Sequence, residues 1–308
     1  MTALRSPIPW RRPVAVDLGT AFIRVAADHF GVVTIPTAAA SCSPLRGGVV
    51  EDPQAVAALL RPALAGNRRL GVLGPRVVVG APTDVRGSER QALETALQAA
   101  GAGAVEIVPE PQAAAVGAGL DLGSPYAQML VDVGDGVTDC AILREGRILA
   151  THACRVGCGS LRASVQERFR DCWDLRLSAA EAERLVATAG VGTAAPASST
   201  PIRIGDNASG RRPALTIRLM TVQALLEPTV EKILAAATTL LRRVPHALGC
   251  EIIESGIVLT GGGALLPGLR ERLATATSIH VTSPGNPLDT VVIGLQRMTA
   301  TSVPAAIA

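Results

Sequence analysis

One pattern of apolar and polar positions occurs twice in the chain. In residues 14–25 an apolar run leads to Asp17, a short turn and a second apolar run, and residues 130–142 repeat this around Asp132. The pattern predicts a strand, a tight turn and a strand, and backbone N–H groups in such turns can bind an anion. A single Asp-Gly hairpin is more often purely structural, but two copies favour a shared site in which Asp17 and Asp132 bracket a cation.

The rest of the chain alternates between strand-like and helix-like apolar periods. Further strands are predicted at residues 32–35, 76–79, 105–108, 147–154, 202–204, 214–219, 257–260 and 280–282. Helices are predicted at residues 52–64, 88–101, 110–119, 178–190, 221–244 and 288–299, with two more beginning at residues 157–160 and near Pro267. A capping box from Ser88 to Gln91 would open the second helix, and Pro228 predicts a break or a fresh start in the long one. This alternation indicates an α/β fold.

Composition narrows the class of protein. Hydrophobic residues make up 48% of the 308 residues but aromatic residues only 2%, so the core must consist mainly of aliphatic side chains. The net charge is +3 and no basic stripe carries aromatic residues, which argues against nucleic acid as a partner. The six cysteines form no Cys-x-x-Cys pair, so reduced, mostly buried thiols are expected. No apolar run is long enough to span a bilayer, and the expected location is the cytoplasm.

The first twelve residues allow two interpretations. Together with Pro13, they contain three prolines, and they carry three arginines and Trp10, which fits a disordered tail and is the preferred interpretation. The indole and the arginines also fit an anchor at a membrane surface, where such side chains lie at the level of the headgroups. Both remain open from the sequence.

Two further positions are candidates for chemistry. Glu110 lies where a predicted strand ends and a helix begins, so it serves either the helix dipole or the orientation of an attacking water. The three glycines Gly261, Gly262 and Gly263 follow a predicted strand. They form either an ordinary strand–helix turn or a flat backbone surface for a planar group such as adenine.

The order of these motifs resembles the actin-like ATPase superfamily, and most closely the MreB family. The resemblance extends from Val14 to about Met298 and includes residues 43–52, 75–80, 110–117 and 253–266. It implies an actin-like fold with two related α/β domains around a nucleotide cleft. Domain I would comprise residues 13–125 and about 289–308, with subdomain IB reduced to about 31–46. Domain II would comprise residues 126–288, with a small subdomain IIB at about 178–222 and residues 1–12 as a tail.

The resemblance also implies roles for individual residues. Asp17 and Asp132 would hold Mg²⁺ through water, and Glu110 and Thr138 would be catalytic, with Glu110 polarising the attacking water. The resemblance places ATP or ADP against a set of small and acidic residues: Gly19, Thr20, Ala21, Asp135, Gly134, Gly136, Gly157, Gly159, Gly261, Gly262 and Gly263. Phosphoryl transfer of this kind relies on positioning and electrostatics.

Several positions depart from the MreB pattern. Phe22 replaces an asparagine, residues 157–160 lose a carboxylate, and Val186 and Thr188 replace the Lys and Glu that contact ribose and adenine. The phosphate side of the cleft is therefore expected to be kept and the adenosine side to be weakened. The short stretch at residues 31–46 also removes part of the surface that MreB filaments use.

The leading hypothesis is an MreB-like cytoskeletal ATP-binding protein that contributes to cell shape and cell-wall morphogenesis, with slow ATP hydrolysis at most. Its partners would be itself or a full-length MreB paralogue, with the inner membrane surface and cell-wall synthesis proteins as further candidates. The location would be cytoplasmic, with peripheral membrane contact left open. The alternative is a non-polymerising, degenerate nucleotide-binding module. A sugar kinase or a heat-shock chaperone of the same superfamily is disfavoured.

Overall fold

The computed structural model describes residues 13–27, 30–37, 43–192, 201–204 and 215–300. The predicted tail with Trp10, the first residue of the strand predicted at 214–219, and residues 301–308 lie outside this part of the chain. Within the described residues, no helix has the length and apolar character that a membrane span needs.

The elements follow the order expected for an α/β chain. The strands are β1 Pro13–Leu18, β2 Phe22–Ala27, β3 Phe30–Pro36, β4 Leu45–Arg46, β5 Val49–Val50, β6 Arg76–Ala81, β7 Ala104–Pro109, β8 Gln128–Val133, β9 Thr138–Arg144, β10 Arg147–Cys154, β11 Pro201–Ile204, β12 Leu215–Arg218, β13 Ile257–Thr260 and β14 Val281–Thr282. The helices are α1 Pro53–Ala65, α2 Gly87–Ala100, α3 Glu110–Ala118, α4 Cys158–Trp173, α5 Ala179–Ala189, α6 Leu219–Arg243, α7 His246–Ser255, α8 Leu269–Thr277 and α9 Thr290–Ala300. A 3-10 helix, Gly262–Leu265, follows β13.

Two five-stranded sheets share one topology. The first has the order β3-β2-β1-β6-β7 and the second the order β10-β9-β8-β13-β14. In each sheet the first three strands are antiparallel neighbours and the last two are added in parallel. The repeated pattern around Asp17 and Asp132 thus starts two equivalent sheets. Both aspartates lie near the carboxyl end of the central strand, where ligands of α/β sheets bind.

Each sheet is covered by helices that present aliphatic faces. In the first sheet, Leu60 of α1 and Leu97 of α2 are fully buried against β1 and β6. In the second sheet, α4 buries Leu161, Val165 and Phe169 on one face, as its spacing predicts. Among the described residues, Phe169 is the largest fully buried side chain. The rest of the core consists mainly of aliphatic side chains.

Helices α3 and α9 join the two sheets. Both pack into a cluster that contains Val78 of the first sheet and Leu130 of the second. Their backbones touch where they cross, because a Cβ on Gly117 would collide with the Thr290 carbonyl and one on Gly294 with that of Ala113. Helix α9 thereby returns the end of the described chain to the first sheet. The division of the chain into domains I and II remains a prediction.

Three details differ from the sequence predictions. Helix α2 begins one residue earlier than predicted, and its capping contact runs from the Arg86 N–H to Glu89 at 2.9 Å, not from Ser88 to Gln91. Helix α6 continues through Pro228 without a break, because buried side chains on both sides of the proline hold it against the second sheet. Helix α7 and the β4–β5 hairpin have no counterpart in the predictions.

Candidate functional site

A cleft of about 700 Å³ opens between the two sheets. Most of the residues singled out from the sequence line it: Asp17, Gly19, Thr20, Ala21, Glu110, Asp132, Gly134, Asp135, Gly136, Gly261 and Gly262. The two hairpin turns therefore do face one another. Among the described residues, six acidic and two basic side chains line the cleft, which gives it an excess of negative charge.

The first turn, residues 19–21, is held by backbone and hydroxyl contacts. The end of β3 supplies two of them: the Thr37 hydroxyl donates to the Gly19 carbonyl at 2.9 Å and the Thr37 N–H to the Ala21 carbonyl at 3.0 Å. The Thr20 hydroxyl accepts from the Gly48 N–H at 3.1 Å. Because Gly48 lies in the β4–β5 hairpin, this hairpin fixes the turn at the mouth of the cleft.

The second turn, residues 134–136, rests on the start of α4. The Cys158 N–H donates to the Gly134 carbonyl at 3.0 Å and the Gly159 N–H to the Asp135 carbonyl at 2.8 Å. A Cβ on Gly157 would lie only 2.5 Å from the Gly134 carbonyl oxygen. Gly157 and Gly159 therefore do not line the cleft. They let the turn lie directly on the helix.

Three carboxyl groups at the floor of the cleft have raised pKa values. Burial is the main cause for each, and it raises the pKa of Asp17 to about 6 and that of Asp132 to about 7. The pKa of Glu110 lies well above its ordinary value through burial and through repulsion from Asp17, Asp132 and Asp139. Such crowding of carboxylates favours a bound cation, which would relieve the repulsion.

Arg24 supplies positive charge to this floor. It lies opposite Asp17 in the β1–β2 pair, 3.6 Å from that carboxylate, and its Nε lies 3.1 Å from Asp289 just before α9. Its guanidinium also stacks over the Phe22 ring at 5.7 Å. Sequence reasoning missed Arg24, although it alternates with Ile23 and Val25 along β2, which places it on the face opposite these two core side chains.

Asp139 joins the two sides of the cleft. It is buried in β9 and accepts from both the N–H and the hydroxyl of Thr83, at 3.0 and 2.9 Å. Burial raises its pKa to about 6, although the two bonds from Thr83 oppose the shift. A carboxylate directly before the apolar run at residues 140–143 of β9 was the signal that could have predicted a partner here.

Arg155 forms a second tie across the cleft. It follows β10 in the second half of the chain. Its guanidinium contacts Asp84 at 3.0 Å, Glu89 at 3.2 Å and the Gly47 carbonyl at 3.0 Å, all in the first half. The sequence offered no distinct signal for this arginine. Together with Asp139, it joins the two halves next to the phosphate-binding candidates.

The opposite end of the cleft is apolar. Its wall consists of side chains from α5, the 3-10 helix and the loop before α9, namely Val186, Ala187, Leu265, Leu266 and Leu288. Gly261 enters this region with φ +76°, and a Cβ there would lie 2.5 Å from the Val133 carbonyl oxygen and would also collide with the Asp132 carboxylate. This conformation ties the apolar wall closely to β8.

Three further positions discussed from the sequence lie away from the cleft, in addition to Gly157 and Gly159. Thr138 is fully buried and its hydroxyl donates to the Val156 carbonyl at 2.8 Å, so it supports the hairpin instead of facing a ligand. Gly263 packs against Val133 because the 3-10 helix turns it inward. Thr188 is exposed and its hydroxyl donates to the Arg184 carbonyl, outside the lining of the cleft.

Comparisons with known sequences point to one family. The family described as MreB/Mbl protein matches residues 34–305. The cell shape-determining protein Mbl of Bacillus subtilis (strain 168) is 31% identical over 256 residues, covering 82% of this chain and 76% of Mbl. The cell shape-determining protein MreB of Escherichia coli (strain K12) is 29% identical over 260 residues, with coverage of 83% and 74%.

Comparisons with solved structures agree on the fold. MreB5 of Spiroplasma citri bound to ADP superposes with a TM-score of 0.83 at 23% identity, covering 94% of this chain and 96% of that one. The MamK double helical filament gives a TM-score of 0.74 at 17% identity, with coverage of 96% and 100%. These similarities confirm the predicted actin-like fold.

Proposed function

The chain belongs to the MreB/Mbl family, and from that premise we propose that it is a cytoskeletal protein that binds ATP or ADP with Mg²⁺ and acts in cell shape and cell-wall morphogenesis. The observation that carries the proposal is the meeting of the two turns, residues 19–21 and 134–136, above the buried carboxyls of Asp17 and Asp132. The similar MreB5 of Spiroplasma citri has been solved with ADP and with AMPPNP, which supports a nucleotide as the ligand.

The donor set fits a hydrated magnesium ion. Carboxylate oxygens are the ligands that Mg²⁺ prefers, and it usually keeps several of its waters. Among the described residues, no group of three His, Cys, Asp or Glu side chains could hold an ion directly. Because Mg²⁺ usually keeps several of its waters, Asp17 and Asp132 would hold the ion through water. The raised pKa values of both groups fit this role, because a cation would favour their ionised forms.

The polypeptide itself would position the reactants. Mg²⁺, when bound, would neutralise charge on the phosphates. The turns at residues 19–21 and 134–136 would hold the phosphates through their backbone N–H groups. Glu110 would orient the attacking water from the start of α3, and its raised pKa would fall once positive charge lies near Asp17 and Asp132. Hydrolysis would be slow, since the buried Thr138 hydroxyl donates to the Val156 carbonyl and does not line the cleft.

Assembly into filaments, alone or with a full-length MreB paralogue, is the second part of the proposal. It is supported by family membership and by the similarity to the MamK double helical filament. Only residues 37–52 separate β3 from α1, and the described part of this segment contains the short β4–β5 hairpin. A surface that depended on a larger subdomain IB would therefore be small here, which favours co-assembly over assembly alone.

The proposed partners also include cell-wall synthesis proteins and the cytoplasmic surface of the membrane, which the protein would contact peripherally. The loop between α1 and β6 supports the membrane contact, because Leu70 is 82% and Val72 is 78% exposed. The double variant Leu70→Asp, Val72→Asp should lose co-sedimentation with anionic vesicles. Leu149→Asp, at a half-exposed site on β10, should keep it. Equal co-sedimentation of both would exclude the loop as the contact.

The alternative function is a nucleotide-binding module that does not polymerise. The apolar wall around Val186 and the short segment between β3 and α1 favour it. Sedimentation with and without Mg-ATP, with phosphate release measured on the same sample, decides between the two functions. Both measurements are repeated in a mixture with a purified MreB. Nucleotide-dependent pelleting supports the cytoskeletal function, and tight ATP binding without pelleting in either mixture supports the alternative.

A variant of Glu110 tests the assigned chemistry in the same assay. Glu110→Gln should abolish phosphate release while ATP still binds, because the amide keeps the shape but cannot take up a proton. Glu94→Gln, on the exposed face of α2, is the matched control and should behave as wild type. Unchanged phosphate release by Glu110→Gln would remove this residue from the mechanism.

A further inference from the structure

The tip of the β4–β5 hairpin contacts both turns of the cleft. Gly47 and Gly48 form this tip with φ +55° and +76°, the left-handed pair that a two-residue hairpin turn favours. The Gly48 N–H donates to the Thr20 hydroxyl of the first turn at 3.1 Å. A Cβ on Gly136 of the second turn would lie 2.8 Å from Gly47 Cα and 2.5 Å from Thr20 Oγ1. The hairpin tip and the two turns therefore meet at one place.

The two ends of this hairpin belong to different surroundings. Its strands are anchored in the first half of the chain, where Leu45 and Val50 are buried in the core of the first sheet. Its tip lies between the two halves. A Cβ on Gly48 would lie 2.9 Å from Pro82 Cγ after β6 and 3.1 Å from Val137 Cγ2 next to the second turn. Glycine lets the tip fit this narrow space, so the tip acts as a spacer between the turns.

Arg155 holds the spacer from the second half of the chain, through contacts here termed the Arg155 clasp. Its guanidinium contacts Asp84 at 3.0 Å and Glu89 at 3.2 Å, and it donates to the Gly47 carbonyl at 3.0 Å. Each contact uses a different nitrogen of the guanidinium. Because the two carboxylates fix the plane of this rigid group, its remaining N–H is directed at the hairpin tip.

The other tie across the cleft does not hold the hairpin. The Asp139 carboxylate accepts from the N–H and the hydroxyl of Thr83, which follows β6. Loss of the Arg155 clasp would therefore leave the two halves joined at Asp139 and would release only the hairpin tip. Arg155 itself does not line the cleft, whereas Gly48 does. Any effect of Arg155 on a ligand must pass through the hairpin.

We propose that Arg155 is a positioning residue that, through the Gly47 carbonyl, keeps the two turns at the spacing in which they hold the phosphates of a nucleotide. This inference rests on the proposed nucleotide-binding function. With the clasp formed, neither turn can move away from the other without breaking a contact to the hairpin tip. A bound nucleotide leaves when the turns separate, so the clasp slows its release.

Release of a ribose-labelled fluorescent ADP from the full chain in Mg²⁺, followed by stopped flow, tests this role. Arg155→Gln should release ADP about tenfold faster, because it loses hydrogen bonds that involve charged groups. The association rate should change by less than about threefold, since such losses act mainly on dissociation. Arg144→Gln is the matched control. The Arg144 side chain is 39% exposed, against 33% for Arg155, and its ion pair with Glu251 lies within the second half, so release should keep the wild-type rate.

Hydrogen exchange of the nucleotide-free chain, measured by NMR, separates positioning from general stability. The Gly48 N–H should exchange faster in Arg155→Gln than in wild type, because the hairpin tip is no longer held against Thr20. The N–H groups of β1 and β8 should keep their wild-type protection. Equally increased exchange in β1 and β8 would show that Arg155 only stabilises the fold and would overturn the inference.

Two further results would overturn the inference and leave the proposed function intact. One is a rate of ADP release that is the same in Arg155→Gln and Arg144→Gln. The other is unchanged exchange of the Gly48 N–H in Arg155→Gln. A wild-type chain that binds no ADP would overturn both the inference and the proposed function.

Discussion

The two ends of the cleft are built in different ways. At the end proposed to bind phosphates, here the phosphate end, backbone groups make most of the contacts. The turns at residues 19–21 and 134–136 are held by N–H and carbonyl contacts, and buried carboxyls lie beneath them. At the end proposed to bind the base, here the base end, the wall consists of aliphatic side chains. Leu265 is 58% and Leu288 38% exposed, whereas Val186 is buried.

This difference shows which parts of a site can change without loss of the fold. A phosphate turn made of backbone needs a particular chain path, and that path is tied across the cleft by Asp139 and Arg155. A wall made of side chains can be changed one residue at a time without a new backbone path, as we expect at Val186. The phosphate end therefore depends on the path of the backbone, whereas the base end depends on individual side chains.

The largest expected effect comes from the carboxyls at the phosphate end. Asp132→Asn should weaken binding of Mg-ATP by about a hundredfold or more, because removing one partner of a buried charged contact costs about 2–5 kcal/mol. Calorimetry with Mg²⁺ present measures this. Asp171→Asn, an exposed aspartate on α4, is the control and should bind as wild type. Wild-type affinity of Asp132→Asn would exclude this residue from the cation site.

The next largest effect is expected at Gly261, where the backbone connects the two ends of the cleft. Gly261→Ala should lower the free energy of unfolding by about 2–4 kcal/mol, from the left-handed backbone and from the collision with the Val133 carbonyl. Urea unfolding measures it. Gly285→Ala is the matched control, because nothing lies within 4 Å of its Cβ. Equal stability of the two variants would show that the backbone at Gly261 is not constrained.

The carboxyls should also make the stability of the nucleotide-free protein depend on pH. The pKa of Asp132 rises from 3.8 to about 7 and that of Asp17 from 3.8 to about 6. Between about pH 4 and 7 the folded chain holds protons that the unfolded chain has released, so this contribution to stability falls as pH rises. Each unit of pKa shift corresponds to about 1.4 kcal/mol.

Asp132→Asn isolates this dependence. In the presence of a metal chelator, the free energy of unfolding of the variant should fall less than that of wild type between about pH 5 and 8. Urea unfolding measures this. Mg-ATP binding by wild type should show the opposite trend and weaken below about pH 7, because the ion needs ionised carboxylates. Parallel stability curves for variant and wild type would contradict the raised pKa of Asp132.

The smallest effect is expected at the base end. Leu265→Ala should change the free energy of unfolding by no more than about 0.5 kcal/mol, since the side chain is largely exposed. It should weaken ATP binding by a few fold, because less apolar surface covers the base. Leu149→Ala, half exposed on β10 away from the cleft, should leave the affinity unchanged. A large loss of stability in Leu265→Ala would mean that the base end is also structural.

Local patterns in the sequence determined much of this protein. The repeated strand–turn–strand around Asp17 and Asp132, the start of α3 at Glu110 and the glycines after β13 all follow from neighbouring residues, and the structure brings Asp17, Asp132 and Glu110 to one cleft. The α/β class follows from the same alternation, because strand and helix periods are set by residues a few positions apart.

Only the tertiary structure decided which polar groups meet. Thr83 and Asp139 are far apart in the sequence, as are Arg155 and Glu89, and no local period predicts that they pair. The same holds for Pro228, where burial on both sides outweighs the local preference for a break, and for Thr138, which turns inward to Val156. The sequence by itself determined the turns, since their geometry depends on adjacent residues. Their partners across the cleft depend on how the two sheets pack against α3 and α9.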